Sequence, residues 1–260
     1  MSRPELSIII PNYRTSELTC LCLRLLRLNT DLERVRVIVV DNASGDASLD
    51  YLRKVEWIEL IERTDTGDEP GFVMHAKALD LAFERVDTPF VLIMHTDTLV
   101  RNDLWLDYLL GQIKADDRIA GVGSWKLETV SRRKYIGKKI EEFFRGLLGR
   151  RSRDERFLRS HCALFRSDAI RKYTNGFYDG ETAGLSIYRH LTAAGFEMKF
   201  LPSIELGKFL THLNHATMIL NPETGGRKTS RPSARRRLDD RLDMARYRDI
   251  LQREDLDKRP

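Results

Sequence analysis

"VRVIVVDNASGD", residues 35–46, sets the reading of the chain. Its first half is a β-branched apolar run, and its second half is a string of small polar residues. Such a run, closed by an Asp/Asn/Ser/Gly cluster, reads as a buried strand ending in a loop. Ser44 or Asp46 then offers the side-chain oxygen that starts a helix. Working outward, the same grammar recurs. "LSIII" (6–10) stops at Pro11-Asn12 and is followed by Leu18, Leu21, Leu25 and Leu28 at helical spacing. "WIELIE" (57–62) is a third strand, and a helix over 71–85 places Phe72, Ala76, Leu79 and Phe83 on one face. "PFVLIM" (89–94) is a fourth strand, with a helix over 102–113 behind it. Strand alternating with helix predicts an α/β fold, a mostly parallel, Rossmann-like sheet flanked by helices on both faces. Ligands of such sheets sit beyond the carboxyl ends of the strands. The polar clusters at 11–16, 41–46 and 95–98 all stand there, which predicts one shared ligand site.

The second half is less regular. Strands are expected near 120–125, 161–166 and 197–202, and a helix over 181–194 that Gly195 ends. Residues 136–148 are amphipathic, with basic residues from Lys134 to Arg153 beside the apolar stripe. The stretch 134–153 reads either as a peripheral membrane contact or as a core-packed helix with a basic outer face. "GGRKTSRPSARRR" (225–237) has no core-forming pattern and reads as a mobile linker, ahead of a charged helix over 234–252. The expected organisation is one domain over 1–222, split into halves 1–115 and 116–222, with a basic C-terminal extension over 223–260. Of 260 residues 42% are hydrophobic, enough for a full core, and the net charge of +5 is concentrated in 132–153 and 227–248. Such clusters favour phosphate-bearing partners or anionic surfaces. The basic tail has Tyr247 as its only aromatic residue, which speaks against nucleic acid. Cys20, Cys22 and Cys162 have no framework spacing and read as reduced thiols. No apolar run approaches the ~20 residues of a spanning helix, and no leader-like layout precedes Leu6. A cytoplasmic location is expected, extending at most to the inner face of the membrane.

"LSIIIPNYRTSE", then "VIVVDNASGDAS" thirty residues on, then an apolar strand ending in an acid-bearing triplet, resembles the family 2 glycosyltransferases. Over roughly residues 5–215 the resemblance implies the GT-A fold and transfer of a sugar from a nucleotide-diphosphate sugar (UDP-, GDP- or dTDP-linked). It implies inversion and an acceptor hydroxyl on a glycan or lipid-linked carrier, in cell-surface glycan or polysaccharide assembly. The alternative is a catalytically weak nucleotide-sugar-binding or scaffold member of the same fold.

The resemblance also implies roles. Pro11, Asn12 and Tyr13 would wall the base, and Asp41, with Asn42 and Ser44 beside it, would accept bonds from base or ribose. Lys77 reads either as a nucleotide-facing cation or as a solvated lysine. His95-Thr96-Asp97 stands at the family's D-x-D position, with the first acid replaced by an imidazole. A carboxylate there recruits Mn²⁺ or Mg²⁺ against the diphosphate, and a histidine suits Mn²⁺ better. His212 and His215 could each complete that site; His212 is preferred as nearer the apolar run 206–210. "ETAGLSIYRHLTAAGF" (181–196) matches the acid-bearing helix, so Glu181 is the expected base for the acceptor hydroxyl and Asp179 the second choice. Either acid would equally stabilise the helix N-terminus. Arg189 reads either as a residue that steadies the acid or contacts the diphosphate, or equally as a surface arginine.

Overall fold

The computed structural model describes residues 3–64, 66–67, 69–125, 127, 156–180, 182–224, 229 and 231–259. The amphipathic stretch 134–153 and Glu181 lie outside the described residues.

Nine strands are described: β1 (Leu6–Asn12), β2 (Val35–Asn42), β3 (Ile58–Arg63), β4 (Phe90–Met94), β5 (Thr98–Val100), β6 (Ile119–Gly123), β7 (Cys162–Arg166), β8 (Glu197–Phe200) and β9 (Leu210–His212). The described helices are α1 (Ser16–Leu28), α2 (Ala47–Leu52), α3 (Gly71–Phe83), α4 (Trp105–Ile113), α5 (Ser167–Tyr173), α6 (Ala183–Ala193), α7 (Ser203–Leu206), α8 (Ala216–Leu220), α9 (Pro232–Leu242) and α10 (Arg248–Leu251). Seven strands form one sheet in the order β3-β2-β1-β4-β7-β6-β8. The pairs β1–β2, β2–β3, β1–β4 and β6–β8 are parallel, and β7 runs antiparallel to both its neighbours.

Side chains along a strand alternate between faces, and each face has its own core. Leu6, Ile8 and Ile10 join Val35, Val37 and Val39 under α1 and α4. Ile9, Ile38, Val40, Val91 and Ile93 face the opposite way, against Ala76, Leu79 and Ala82 of α3 and Ile187 and Leu191 of α6. Burial on both sides explains why these strands are continuous Val/Ile runs rather than alternating ones. The chain winds outward from β1 to β3 and then returns on the other side as β4. The topological switch therefore lies between the carboxyl ends of β1 and β4, where ligands of such sheets bind.

β5 and β9 form a separate two-stranded ribbon, with Thr98 paired to His212, Leu99 to Thr211 and Val100 to Leu210. The C-terminal region departs from the expected linker and single helix. Helix α9 begins at Pro232 and buries Ala234, Leu238 and Leu242. It ends at Asp243, whose left-handed φ of 34° breaks the expected helix into a 3₁₀ turn (244–247) and the short α10. No described helix is long and apolar enough to cross a membrane.

Candidate active site

At the end of β1, Asn12 is fully buried and organises the first two strand ends. Its amide donates to Asp41 Oδ1 (2.7 Å) and to the hydroxyls of Ser48 (3.0 Å) and Ser44 (3.3 Å). Its carbonyl oxygen accepts from Thr19 (2.7 Å). The other Asp41 oxygen accepts from the Ser44 backbone N–H at 2.9 Å. Both oxygens of Asp41 are thus engaged and the residue is wholly buried, so it braces the loop after β2. Helix α2 is capped by Asp46, which accepts from Ser48 N–H. Asn42 opens onto the cavity, and its side-chain oxygen accepts from Arg63 at 2.7 Å.

The cavity, about 500 Å³, lies over the switch point and is lined by Pro11, Asn12, Tyr13, Asn42, His95, Thr96, Asp97 and His212, among others. That volume is in the range of small-molecule sites. Thr15 of the first loop and Thr96 of the second approach each other at 3.4 Å. Asn221 donates to the carbonyls of Arg14 (3.1 Å) and Tyr13 (3.4 Å), so the turn beyond α8 fixes the cavity's rim.

Asp97 is the centre of charge. The ribbon register sets His212 opposite Thr98, beside the carboxylate. The turn 213–216 closes over it: Leu213 N–H donates to the Asp97 carbonyl (2.9 Å) and Ala216 N–H to Asp97 Oδ2 (3.0 Å). Asp97 Oδ1 lies 3.2 Å from His212 Nε2 and 3.7 Å from His95 Nδ1. Neither contact is aligned as a hydrogen bond, and Asp97 Oδ1 and both ring nitrogens of His212 are buried without a hydrogen-bond partner. Buried polar atoms are rarely left so. One donor atom from each of His95, Asp97 and His212 falls within 4.8 Å of the others, the one such group of three among the described residues. Converging, unpartnered lone pairs of a carboxylate and two imidazoles fit a divalent transition-metal ion. Burial works against ionising Asp97, but the neighbouring His212 and His95 hold its carboxyl well below the usual range. Burial likewise opposes protonation of His212, and the Asp97 carboxylate prevails in raising its pKa.

More imidazoles surround this group than the motif foretells. Five of the six histidines of the chain line the cavity: His75, His95, His161, His212 and His215. His161 stacks on His212 with ring centres 4.5 Å apart, and His75 meets His95 edge-on at 4.9 Å. Burial first, then the neighbouring His95, pushes His75 down to about 3; burial and then His212 lower His161. His95 Nε2 is fixed by Ser160 (2.9 Å) and His161 Nε2 by Ser124 (2.9 Å). Trp125 and Arg159 close the far wall, with the guanidinium 4.4 Å from the indole centre. His75, Trp125, Arg159, Ser160 and His161 escaped the sequence reading. A count of histidines against apolar segments is the one signal that could have pointed to them.

The remaining expected residues lie apart from this centre. Lys77 pairs with Glu69 at 2.7 Å and is not among the cavity's lining residues. Ser44 is buried in the Asn12 network, and Arg189 is exposed on α6. Asp179 is exposed and accepts a bond from the Ser186 hydroxyl, whose oxygen is 3.3 Å from His190 Nδ1.

Residues 7–174 match the family described as Glycosyl transferase family 2. No curated protein sequence matches the chain. Among solved structures, the mannosyltransferase PcManGT of Pyrobaculum calidifontis, in complex with GDP-Man and Mn²⁺, is 21% identical with a TM-score of 0.57, over 78% of this chain and 56% of that one. TarS 1–349 of S. aureus is 14% identical with a TM-score of 0.48, over 73% and 55%. The glucosyl-3-phosphoglycerate synthase of Mycobacterium tuberculosis, in complex with phosphoglyceric acid, is 16% identical with a TM-score of 0.44, over 65% and 59%. The chain thus spans little more than half the length of these proteins, and at such identities the likeness to PcManGT is one of fold.

Proposed function

The chain belongs to glycosyl transferase family 2 and has its GT-A fold, and we propose that it transfers a sugar from a nucleoside-diphosphate sugar to an acceptor hydroxyl on a glycan or lipid-linked carrier, with inversion. The observation that carries this reading is the convergence of His95, Asp97 and His212 on a cavity at the switch point, with buried lone pairs left unpartnered. These three residues would hold a divalent cation. When bound, the ion would offset the negative charge that gathers on the departing diphosphate. PcManGT, solved with GDP-Man and Mn²⁺, supports both the donor class and the kind of ion.

The chain's own residues supply the rest. Pro11 and Tyr13 offer a flat wall for the base, and Asn42 presents an amide beside it. The Asn12–Asp41–Ser44 network keeps that wall rigid, so donor binding need not order it. The turn 213–216 prevents Asp97 from swinging away, which leaves Oδ1 aimed inward. Glu181 is assigned as the base that takes the proton from the acceptor hydroxyl, with Asp179 as second candidate; attack opposite the leaving diphosphate inverts the anomeric carbon.

Purified protein incubated with Mn²⁺ and a panel of UDP-, GDP- and dTDP-sugars tests this, with the product's anomeric configuration read by NMR. Turnover with inversion, lost in Glu181→Gln and in Asp97→Asn, is the expected result. A retained configuration would overturn the role of Glu181. Tight donor binding with no turnover, unaffected by either substitution, would favour a binding module instead.

A further inference from the structure

A second cavity, about 200 Å³, lies between α8 and α9. At ~30 Å³ per water, that is room for a phosphate group and the atoms bonded to it. Asn214, His215, Thr229, Arg237, Leu238 and Arg241 line it, and among the described residues no acidic one does. Among the described residues it shares Asn214 and His215 with the larger cavity and no other. The two spaces therefore meet at one turn, the same turn that clamps Asp97.

Three independent observations bear on this place. Arg237 and Arg241 are one helical turn apart, so both project from the same side of α9. Leu238 and Leu242 bury the adjoining face, and Arg235 is paired with Asp239 elsewhere on the helix (3.0 Å). Arg237 and Arg241 make no ion pair or hydrogen bond with any described residue. Two like charges four residues apart on a helix repel, an arrangement that an anion between them relieves. Finally, Asn214 (φ 55°) and His215 (φ 62°) are consecutive non-glycine residues in the left-handed region. Such strained residues concentrate at ligand sites.

We propose that this cavity is a phosphate-binding subsite for the acceptor, so that the hydroxyl receiving the sugar belongs to a phosphate-bearing molecule. Arg237 and Arg241 take the phosphate oxygens, and the Asn214–His215 turn directs the remainder of the acceptor toward the donor. The inference rests on the transferase reading for the word acceptor, but the binding of phosphate does not. The donor's own diphosphate is the other source of the same chemistry. Pro11, Tyr13 and Asp97, which face the donor in the proposed reading, line the first cavity alone.

Isothermal titration separates the sources. Glycerol 3-phosphate is titrated without nucleotide, and GDP or UDP with Mn²⁺ is titrated separately, into the wild type, the Arg237→Ala/Arg241→Ala double variant and Arg235→Ala. Thermal unfolding of each variant checks that it is folded. The double variant should bind glycerol 3-phosphate at least about tenfold more weakly, since each charged contact is roughly that large, while its nucleotide affinity stays within about twofold. Arg235→Ala should change neither, and Arg237→Lys/Arg241→Lys should recover part of the phosphate binding. If nucleotide affinity falls instead, the arginines serve the donor and the proposal fails. It fails equally if the wild type does not bind glycerol 3-phosphate or if the double variant binds it unchanged. A protein that binds glycerol 3-phosphate but no nucleotide would sink the transferase reading and leave the anion subsite standing.

Discussion

Asp97 divides its carboxylate between two tasks. Oδ2 is tied to the Ala216 backbone N–H and holds the side chain still, while Oδ1 faces His212 and His95 with no hydrogen bond. An amide in its place keeps the shape and loses the charge that a cation needs. Asp97→Asn is accordingly expected to lower Mn²⁺-supported turnover by about 10²–10³, the scale of several kcal/mol at the leaving group, with the Tm little changed. Two imidazoles and one carboxylate also set the choice of ion. Mn²⁺ or another nitrogen-tolerant ion is expected to bind at least about tenfold tighter than Mg²⁺, because harder Mg²⁺ prefers oxygen ligands. Titration of each ion followed by the protein's thermal shift would show it, and equal shifts for both ions would count against an imidazole-bearing site. His95, Asp97 and His212 were legible in sequence because two fall in one strand-end triplet and the third follows an apolar run. His75 and His161 were not: each sits within an apolar segment, where a histidine reads as core, and only the tertiary fold turns them to the cavity.

At the scale of elements, the first half of the sheet reads directly, since β1, β2 and β4 are buried on both faces and so announce themselves as apolar runs, while the edge strand β3 is only partly buried. The ribbon β5–β9 does not, because three-residue strands leave no periodic signal. The C-terminal helix shows how a charged composition misleads. α9 holds on through three buried small or apolar side chains amid arginines, and a left-handed Asp243 breaks the pattern that sequence would continue. Two elements carry their own expected outcomes. Near the start of α6, a Cβ on Gly184 would overlap the Leu158 carbonyl oxygen and press on the Phe157 ring. Gly184→Ala should therefore destabilise by about 1–3 kcal/mol through overpacking, visible as a lower denaturant midpoint, although alanine is the better helix former. At the opposite end of the sheet, Glu5 ties the chain before β1 to Arg34 (2.8 Å) and to Lys114 after α4 (2.5 Å). Burial raises the Glu5 pKa, but these two cations outweigh it and hold it below the ordinary 4.5. A depressed carboxyl stabilises the fold above its unfolded pKa and ceases to do so as pH falls through the folded value. The stability difference between wild type and Glu5→Gln should hold from neutrality to about pH 5 and shrink below that. A difference that grows on acidification would contradict the assignment.

At the scale of the whole fold, residues 250–257 return to the first helix. Arg24, in the middle of α1 and only 4% exposed, donates from Nε to Asp257 Oδ1 (3.0 Å) and from Nη2 to Oδ2 (2.5 Å). Its remaining terminal nitrogen reaches the Leu251 carbonyl at 2.7 Å. Tyr51 donates to the same carboxylate (2.9 Å), Trp57 to the Leu256 carbonyl (2.8 Å), and the Glu56 N–H to the Asp257 carbonyl (2.8 Å). A bidentate pair with its other donors satisfied is rigid, but its net contribution depends on what replaces it. Removing one partner strands a buried charge and costs about 3–5 kcal/mol, whereas replacing both with apolar residues of similar volume is often neutral. Asp257→Ala should thus lower unfolding stability by that amount. Arg24→Met with Asp257→Leu should lose far less, because no charge is left behind and only neutral groups, the Tyr51 hydroxyl and the Ile250 and Leu251 carbonyls, must find new partners. A double-mutant cycle in urea measures the coupling directly. Were the effects of the two single variants simply to add in the double variant, the coupling would be nil, the tail would be held by its apolar and backbone contacts, and the ion pair would be incidental. If instead the coupling is large, proteolysis of Asp257→Ala should begin at the tail, since its side-chain tether to α1 is gone while the two cores, one on each face of the sheet, remain intact.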